Sequence, residues 1–221
     1  MIPRLIYLLA AIGLLLSLDI LWHISMVHVI CKALLMPALI VLVFMRGWRS
    51  TPRKLLVAGL FLSWLGDLAL INAEEEQYFL LGLSAFLLAH ITYIFSFRKA
   101  RDTNHEIVMT TRLPLFIFLF LGIAIGMFLY LRPDLGQMEI PVLLYSLVIM
   151  VMALQALNRF KKTSGDSFRY VFGGALLFML SDSLLAMNKF KDEMEYGTYF
   201  VLATYILAQW FIAQGILKHQ D

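Results

Sequence analysis

The 221 residues are 61% hydrophobic and 15% charged, with a mean hydropathy of +0.81. A soluble domain averages roughly 45–50% apolar and about 25% charged residues. A water-soluble globule of this length is therefore excluded, because its polar residues would not cover its exterior. The formal charge of +3 and a pI near 9.0 do not point to nucleic acid either. The basic residues sit in short loops between apolar runs, where the positive-inside rule places them.

A bilayer span needs roughly 20 mostly apolar residues to cross a hydrocarbon core about 30 Å thick. The first window, 4–22, follows Met1-Ile2-Pro3-Arg4 and has the look of a signal peptide. No small-x-small cleavage pattern follows it, so it reads as an uncleaved first helix. The second window, 27–45, carries Cys31, Lys32 and Pro37, and the third, 54–72, carries Gly59, Ser63, Gly66 and Asp67. The fourth, 77–97, holds His90 and Tyr93, and the fifth, 112–131, is apolar almost throughout. The last three are 139–158 with Tyr145, 169–188 with Asp182, and 196–217 with Gln209. None shows the period-two alternation of a barrel strand. The expected fold is all-α: a polytopic integral membrane bundle of eight transmembrane helices, with residues 1–221 as one transmembrane domain. The one cysteine has no intramolecular disulfide partner.

The loops set the orientation. Arg46, Arg49, Arg53 and Lys54, then Arg98, Lys99, Arg101 and Arg112, then Arg159, Lys161, Lys162 and Arg169 fall on one side with Arg4 and Lys218, 14 of the 18 basic residues. The opposite loops hold Arg132, Lys189 and Lys191 beside the acidic runs Glu74-Glu75-Glu76 and Asp192-Glu193-Glu195. Both termini are therefore expected in the cytoplasm.

An internal echo fits two four-helix repeats in parallel orientation. At an offset of 115, Gly59 to Leu70 aligns with Gly174 to Leu185, pairing Gly59 with Gly174, Gly66 with Ser181 and Asp67 with Asp182. Leu88-Ala89-His90 is echoed by Leu207-Ala208-Gln209. Matching leucines carry little weight between apolar segments, and the paired acids carry more.

An ionisable side chain in the hydrocarbon costs several kcal/mol by most scales, so its position is a functional hypothesis by default. Lys32, Asp67 and Asp182 are expected at one depth, roughly 8 Å below the outer boundary at 1.5 Å rise per residue. The bland reading is a lysine paired with an aspartate to cancel charge and fix helix register. Two carboxyls against one cation leave one acid over, and such an acid can hold its proton near neutrality. His90 lies nearer the cytoplasmic side by roughly 12 Å, which favours a helix-to-helix hydrogen bond over a place in the cluster, and Tyr93 shares its face. Asn72, Asn188, Tyr145 and Gln209 either line the same cavity or serve as interfacial and interhelical polar groups. Gly59, Ser63 and Gly66 form a small-residue stripe for close packing. Pro37 is expected to bend its helix and free backbone carbonyls toward a cavity. His23 and His28 lack a nearby carboxylate, and no metal is expected. There is no His-Glu-x-x-His, no Gly-x-Ser-x-Gly and no phosphate-binding glycine loop.

Lys32-Ala33-Leu34-Leu35-Met36-Pro37, Leu60 to Asp67, Phe86 to Tyr93 and Leu180-Ser181-Asp182, taken in this order and spacing, resemble the YhhN family of membrane proteins, whose mammalian members are lysoplasmalogenases. The family often has proline directly after the lysine, where this chain has Ala33. The resemblance implies a lipid hydrolase that cleaves the vinyl ether bond of a lysoplasmalogen to a fatty aldehyde and a glycerophospho-base without a cofactor. It implies a lysophospholipid substrate, a bacterial inner membrane as location, and Asp67 and Asp182 as the acids. Lys32, Asn72, His90, Tyr93 and Asn188 are the expected substrate-binding groups. Two other readings stay open: a proton-coupled transporter or lipid flippase using the same Asp–Lys cluster, and a non-catalytic lipid-binding protein. Transporter sites lie near the midplane, whereas this cluster is expected near the outer headgroups.

Overall fold

A computed structural model describes residues 2–19, 25–102, 110, 114–191 and 194–219. His23, Arg112, Asp192 and Glu193 lie outside the described residues. Among the described residues eight α-helices follow one another: α1 (Ile2–Asp19), α2 (Ser25–Met45), α3 (Thr51–Ala69), α4 (Glu76–Lys99), α5 (Leu115–Leu131), α6 (Glu139–Leu157), α7 (Gly165–Phe190) and α8 (Gly197–Leu217). No strand occurs among the described residues. Helices α2 to α8 are long and apolar enough to cross a bilayer, and α1 contributes a shorter apolar run, Ile2–Leu18. The chain is an integral membrane protein.

Local chemistry sets the helix ends. Ser50, in extended conformation, precedes α3 and Pro52 occupies its first turn, where a missing N–H costs nothing. Helix α4 opens on Glu76 and closes on Arg98 and Lys99, each sign facing the end of the helix dipole that favours it. Ser164 caps α7, its Oγ accepting from the Ser167 amide at 3.2 Å. That cap starts α7 four residues before the expected window, and the helix runs two residues beyond it. Asp182 thus stands eight residues from its helix end, while Asp67 stands two residues before α3 gives way to a single tight turn, Leu70–Asn72. The equal spacing inferred from sequence does not hold for Asp182.

Large apolar side chains face outward on every helix, most plainly on α5, where Leu115 is 74% exposed. In lipid that surface needs no cover, since there is no hydrophobic drive to bury it.

The chain divides into two compact units, Met1–Ser96 and Phe97–Asp221. In the first, α1 packs on α2 and α2 on α3. Helix α3 meets α4 where Gly59 faces the ring of Tyr93, so closely that a Cβ at Gly59 would clash with it. Leu14, Leu35, Leu39, Leu56, Leu60 and Ala89 form the interior. Ser96 Oγ donates to the Pro52 carbonyl at 2.8 Å, joining the end of α4 to the start of α3.

In the second unit, α5 packs on α6, α6 on α7 and α7 on α8. Gly174 lets α7 approach the α8 backbone: a Cβ there would lie 2.9 Å from the Ala208 carbonyl oxygen. Phe120, Ala124, Ala153 and Leu157 form a core, with Phe172 and Leu176 against it. Arg159 is fully buried just beyond α6. Its guanidinium donates to the carbonyls of Ala100 (2.9 Å) and Ser167 (3.2 Å) and to Ser167 Oγ (2.7 Å). Ser167 Oγ in turn donates to the Gly215 carbonyl at 2.6 Å, so Arg159 and Ser167 together tie four segments.

Candidate functional site

Among the described residues, each unit carries an aspartate well inside a helix long and apolar enough to span. In the first, α3 carries Asp67, 3% exposed, and α2 carries Lys32, 9% exposed. The two lie within Coulombic reach of one another. Tyr7 of α1, also buried, brings its phenol within reach of both Asp67 and Tyr93. A carboxylate beside an ammonium is the arrangement that makes a buried charge tolerable.

Pro37 explains part of how this pair is held. A proline inside a helix has no N–H for the carbonyl four residues earlier, here Ala33, next to Lys32. The indole Nε1 of Trp64 donates to that carbonyl at 2.9 Å. The carbonyl expected to face a cavity is therefore satisfied by a side chain of α3. Trp64 is three residues before Asp67, on the same helix face, so the bond sets α3 against α2 where acid and lysine meet.

His90 is fully buried on α4 and Tyr93 is buried three residues later. Tyr93 Oη stands 3.4 Å from Ser63 Oγ, a long hydrogen bond. Asn72 is exposed in the turn after α3. His28 Nδ1 stands 3.0 Å from Ser17 Oγ, joining α1 to α2. Among the described residues no cluster of histidine, cysteine and acid is suited to a metal ion.

In the second unit, α7 carries Asp182, half-buried. Tyr145 of α6 is buried and its hydroxyl donates to Asp182 Oδ2 at 2.5 Å. Ser181, beside the acid, donates from Oγ to the Val201 carbonyl at 2.9 Å, fixing α7 on α8. Asn188 accepts from the Met194 amide at 2.9 Å, which closes the turn into α8 and occupies its side-chain oxygen. Gln209 is fully buried on α8. A polar cavity of about 340 Å³, lined by Asp102, Lys161, Lys162, Thr163, Ser164 and His219, opens at the far end of α7. At 1.5 Å per residue it is about 27 Å from Asp182, and it contains none of the residues expected from sequence.

Of the expected site residues, Lys32 and Asp67 are therefore brought together, with Tyr7 and Trp64 as neighbours that sequence reasoning missed. Asp182 gains Tyr145, which sequence reasoning noted without assigning it. Asn72 lies in the turn after α3, and Asn188, in the last turn of α7, accepts from the Met194 amide.

Comparison with known proteins gives a consistent picture. A lysoplasmalogenase of Homo sapiens, TMEM86B, is 31% identical over 166 residues, 75% of this chain and 64% of that protein. A lysoplasmalogenase of Sus scrofa is 31% identical over 188 residues, 82% of this chain and 72% of that protein. A lysoplasmalogenase of Mycobacterium tuberculosis is 28% identical over 169 residues, 74% and 60% of the respective chains. The match to the human protein thus spans a little under two thirds of its length. No solved structure matches. The family model for YhhN covers residues 27–216, from α2 through α8, and the chain belongs to the YhhN family.

Proposed function

We propose that this protein is a membrane-embedded lysoplasmalogenase, hydrolysing the vinyl ether bond of a lysoplasmalogen with Asp67 and Asp182 as its two acids. The observation that supports this most is the same local arrangement in both units. A small residue precedes the acid on a spanning helix, Gly66-Asp67 and Ser181-Asp182, and the preceding helix supplies a polar partner, Lys32 in one and Tyr145 in the other. The relatives' names agree with the reading.

The chemistry needs two carboxyls in different states. A neutral carboxyl protonates the β-carbon, forming a C–H bond from the vinyl π pair and leaving an oxocarbenium ion at the ether carbon. An ionised carboxyl opposes that charge and takes a proton from the water that adds, giving a hemiacetal. The hemiacetal's bond to the glycerol oxygen then breaks, the departing oxygen takes the proton back, and the hydroxyl proton restores the first acid. The aldehyde and glycerophospho-base leave with no net change in the protein. Paired carboxyls divide the work of glycoside hydrolysis in the same way. The lysine keeps one acid anionic at a depth where an isolated carboxylate is costly.

The distribution of basic residues further supports placing both termini in the cytoplasm.

The test is aldehyde release from a 1-alkenyl lysophosphatidylethanolamine by purified protein, beside Asp67→Asn and Asp182→Asn. Asparagine keeps the size and polarity but cannot supply or accept the acid proton. Each variant should lose about 10²–10⁴-fold in turnover while lysolipid binding survives. Full aldehyde release from both would overturn the assignment and favour a transport or structural role for the acids.

A further inference from the structure

We infer that Tyr145 is a positioning residue that makes Asp182 the proton-donating acid and leaves Asp67 as the carboxylate that rests ionised; the inference rests on the lysoplasmalogenase reading. Three observations carry it. The Tyr145 hydroxyl meets Asp182 Oδ2 at 2.5 Å, the short end of the O–H···O range. The phenol has one proton and gives it to Oδ2, which places the acid's own proton on Oδ1, the oxygen this bond leaves for the substrate. Exposure differs too: Asp182 is half-buried, whereas Asp67 is 3% exposed. A donor must touch a lipid carbon, and the helix position that carries Asp182 is less closely covered than the one that carries Asp67.

The third observation is the contrast between the units. Asp67 and Asp182 are separated by 115 residues and Lys32 and Tyr145 by 113, so a lysine and a tyrosine take nearly equivalent places on the helix before the acid. An ammonium favours the anionic form of its neighbour in the resting protein. A phenol is neutral, so it tolerates a neutral carboxyl and strengthens its bond once that carboxyl has become an anion. The acid beside the tyrosine can therefore start a turnover neutral and become the anion within it, whereas the acid beside the lysine starts as the anion. When Asp182 gives its proton to the β-carbon, the π pair forms the C–H bond and the O–H electrons stay on the carboxylate, which Tyr145 stabilises. The hemiacetal hydroxyl later returns a proton to it. Tyr145 itself exchanges no proton and touches no reacting atom.

The experiment compares wild type, Tyr145→Phe and a protein with 3-fluorotyrosine at 145, all full-length in detergent, measured for kcat and KM with the same lysolipid. Phenylalanine removes only the hydroxyl. We expect kcat to fall about 10–100-fold, the effect of losing a hydrogen bond to a charged group, with KM within about twofold. The fluorinated phenol is a stronger donor of similar shape and should shift kcat while KM and melting temperature stay at wild-type values. A merely structural tyrosine would move the melting temperature, or kcat and KM together, and would not respond to fluorine. The inference fails if Tyr145→Phe keeps kcat within about threefold or, should that variant not fold, if fluorination leaves kcat unchanged. Absence of aldehyde release from wild type would instead remove the hydrolase reading, so the two failures are distinct.

Discussion

The α3–α4 pair of the first unit and the α7–α8 pair of the second are two versions of one crossing. Gly59 faces Tyr93 in one; Gly174 faces Ala208 and Ile212 in the other, and Tyr93 and Ile212 are 119 residues apart, as are His90 and Gln209. Both His90 and Gln209 are fully buried. A Cβ at Gly82 would stand 3.4 Å from the Gly66 carbonyl, and at the matching place Ser181 Oγ bonds the Val201 carbonyl. The crossing is kept and its chemistry is not: two glycines in close approach become a serine and a hydroxyl-to-carbonyl bond. The partner of each acid diverges further, from lysine to tyrosine, and it comes from the helix outside the crossing pair. Backbone proximity constrains the small residues tightly, while the polar group facing each acid is free to differ.

The largest expected effect lies where the units differ most. At the offset of 115, Arg159 corresponds to Phe44, which lies largely exposed on α2. Arg159→Leu would strip donors from the Ala100 and Ser167 carbonyls and should cost about 2–5 kcal/mol, since each buried acceptor left unsatisfied costs about 1–3. Thermal unfolding in detergent measures the loss, and limited proteolysis should cut first within residues 97–221. Arg159→Lys should not restore stability, because an ammonium cannot reproduce the planar fork. A wild-type melting point for Arg159→Leu would remove the arginine as the pin of the second unit.

The two glycines come next and test the crossing directly. Valine at either position overpacks a helix contact, an error worth about 1–3 kcal/mol. Gly174→Val should cost more, because its neighbours include the Ala208 carbonyl and the Ile212 amide, whereas Gly59 meets the side chains of Tyr93 and Thr92. A ring can swing aside and a backbone cannot. Equal losses would mean that the α3–α4 contact is as rigid as its counterpart.

These elements also mark how far the sequence could be read. Eight apolar windows, two acids at an equal register and a stripe of small residues were visible because hydropathy and residue size leave periodic traces in one chain. The buried arginine was not: a basic residue after a span reads as a loop charge, and only three-dimensional closure turns its fork onto backbone carbonyls. Tyr145 stood out weakly for a similar reason. Tyrosine is common in membrane helices, and nothing in its neighbours along the chain says that an acid 37 residues later will lie against it. Asn188 read as a candidate for the lipid because a turn's need for an acceptor is set by the loop's path. The helix end beyond Asp182 shifted because a serine cap and a continuing run of helix formers extend α7 at both ends, which hydropathy windows do not register.

The smallest effect concerns Trp64 and Pro37, which belong to the first unit alone. Trp64→Phe keeps the aromatic bulk and removes one donor, leaving the Ala33 carbonyl without the indole that reaches it at 2.9 Å. The cost should be about 1–2 kcal/mol, a single buried acceptor losing its bond. Pro37→Ala restores the N–H that α2 lacks, and that N–H is directed at the same carbonyl. In the Pro37→Ala background, Trp64→Phe should therefore cost much less. The double-mutant cycle should give a coupling of about 0.5–1.5 kcal/mol, within the range for residues sharing one partner. Additive losses would mean that the indole holds α3 by packing alone. If the bond rather than the packing sets α3 against α2, Trp64→Phe should also lower turnover with Asp67 intact, and Pro37→Ala should not bring it back, because the new N–H satisfies the carbonyl from within α2 and leaves α3 untied. Stability restored without turnover is the outcome that separates the tie between helices from the simple satisfaction of a carbonyl.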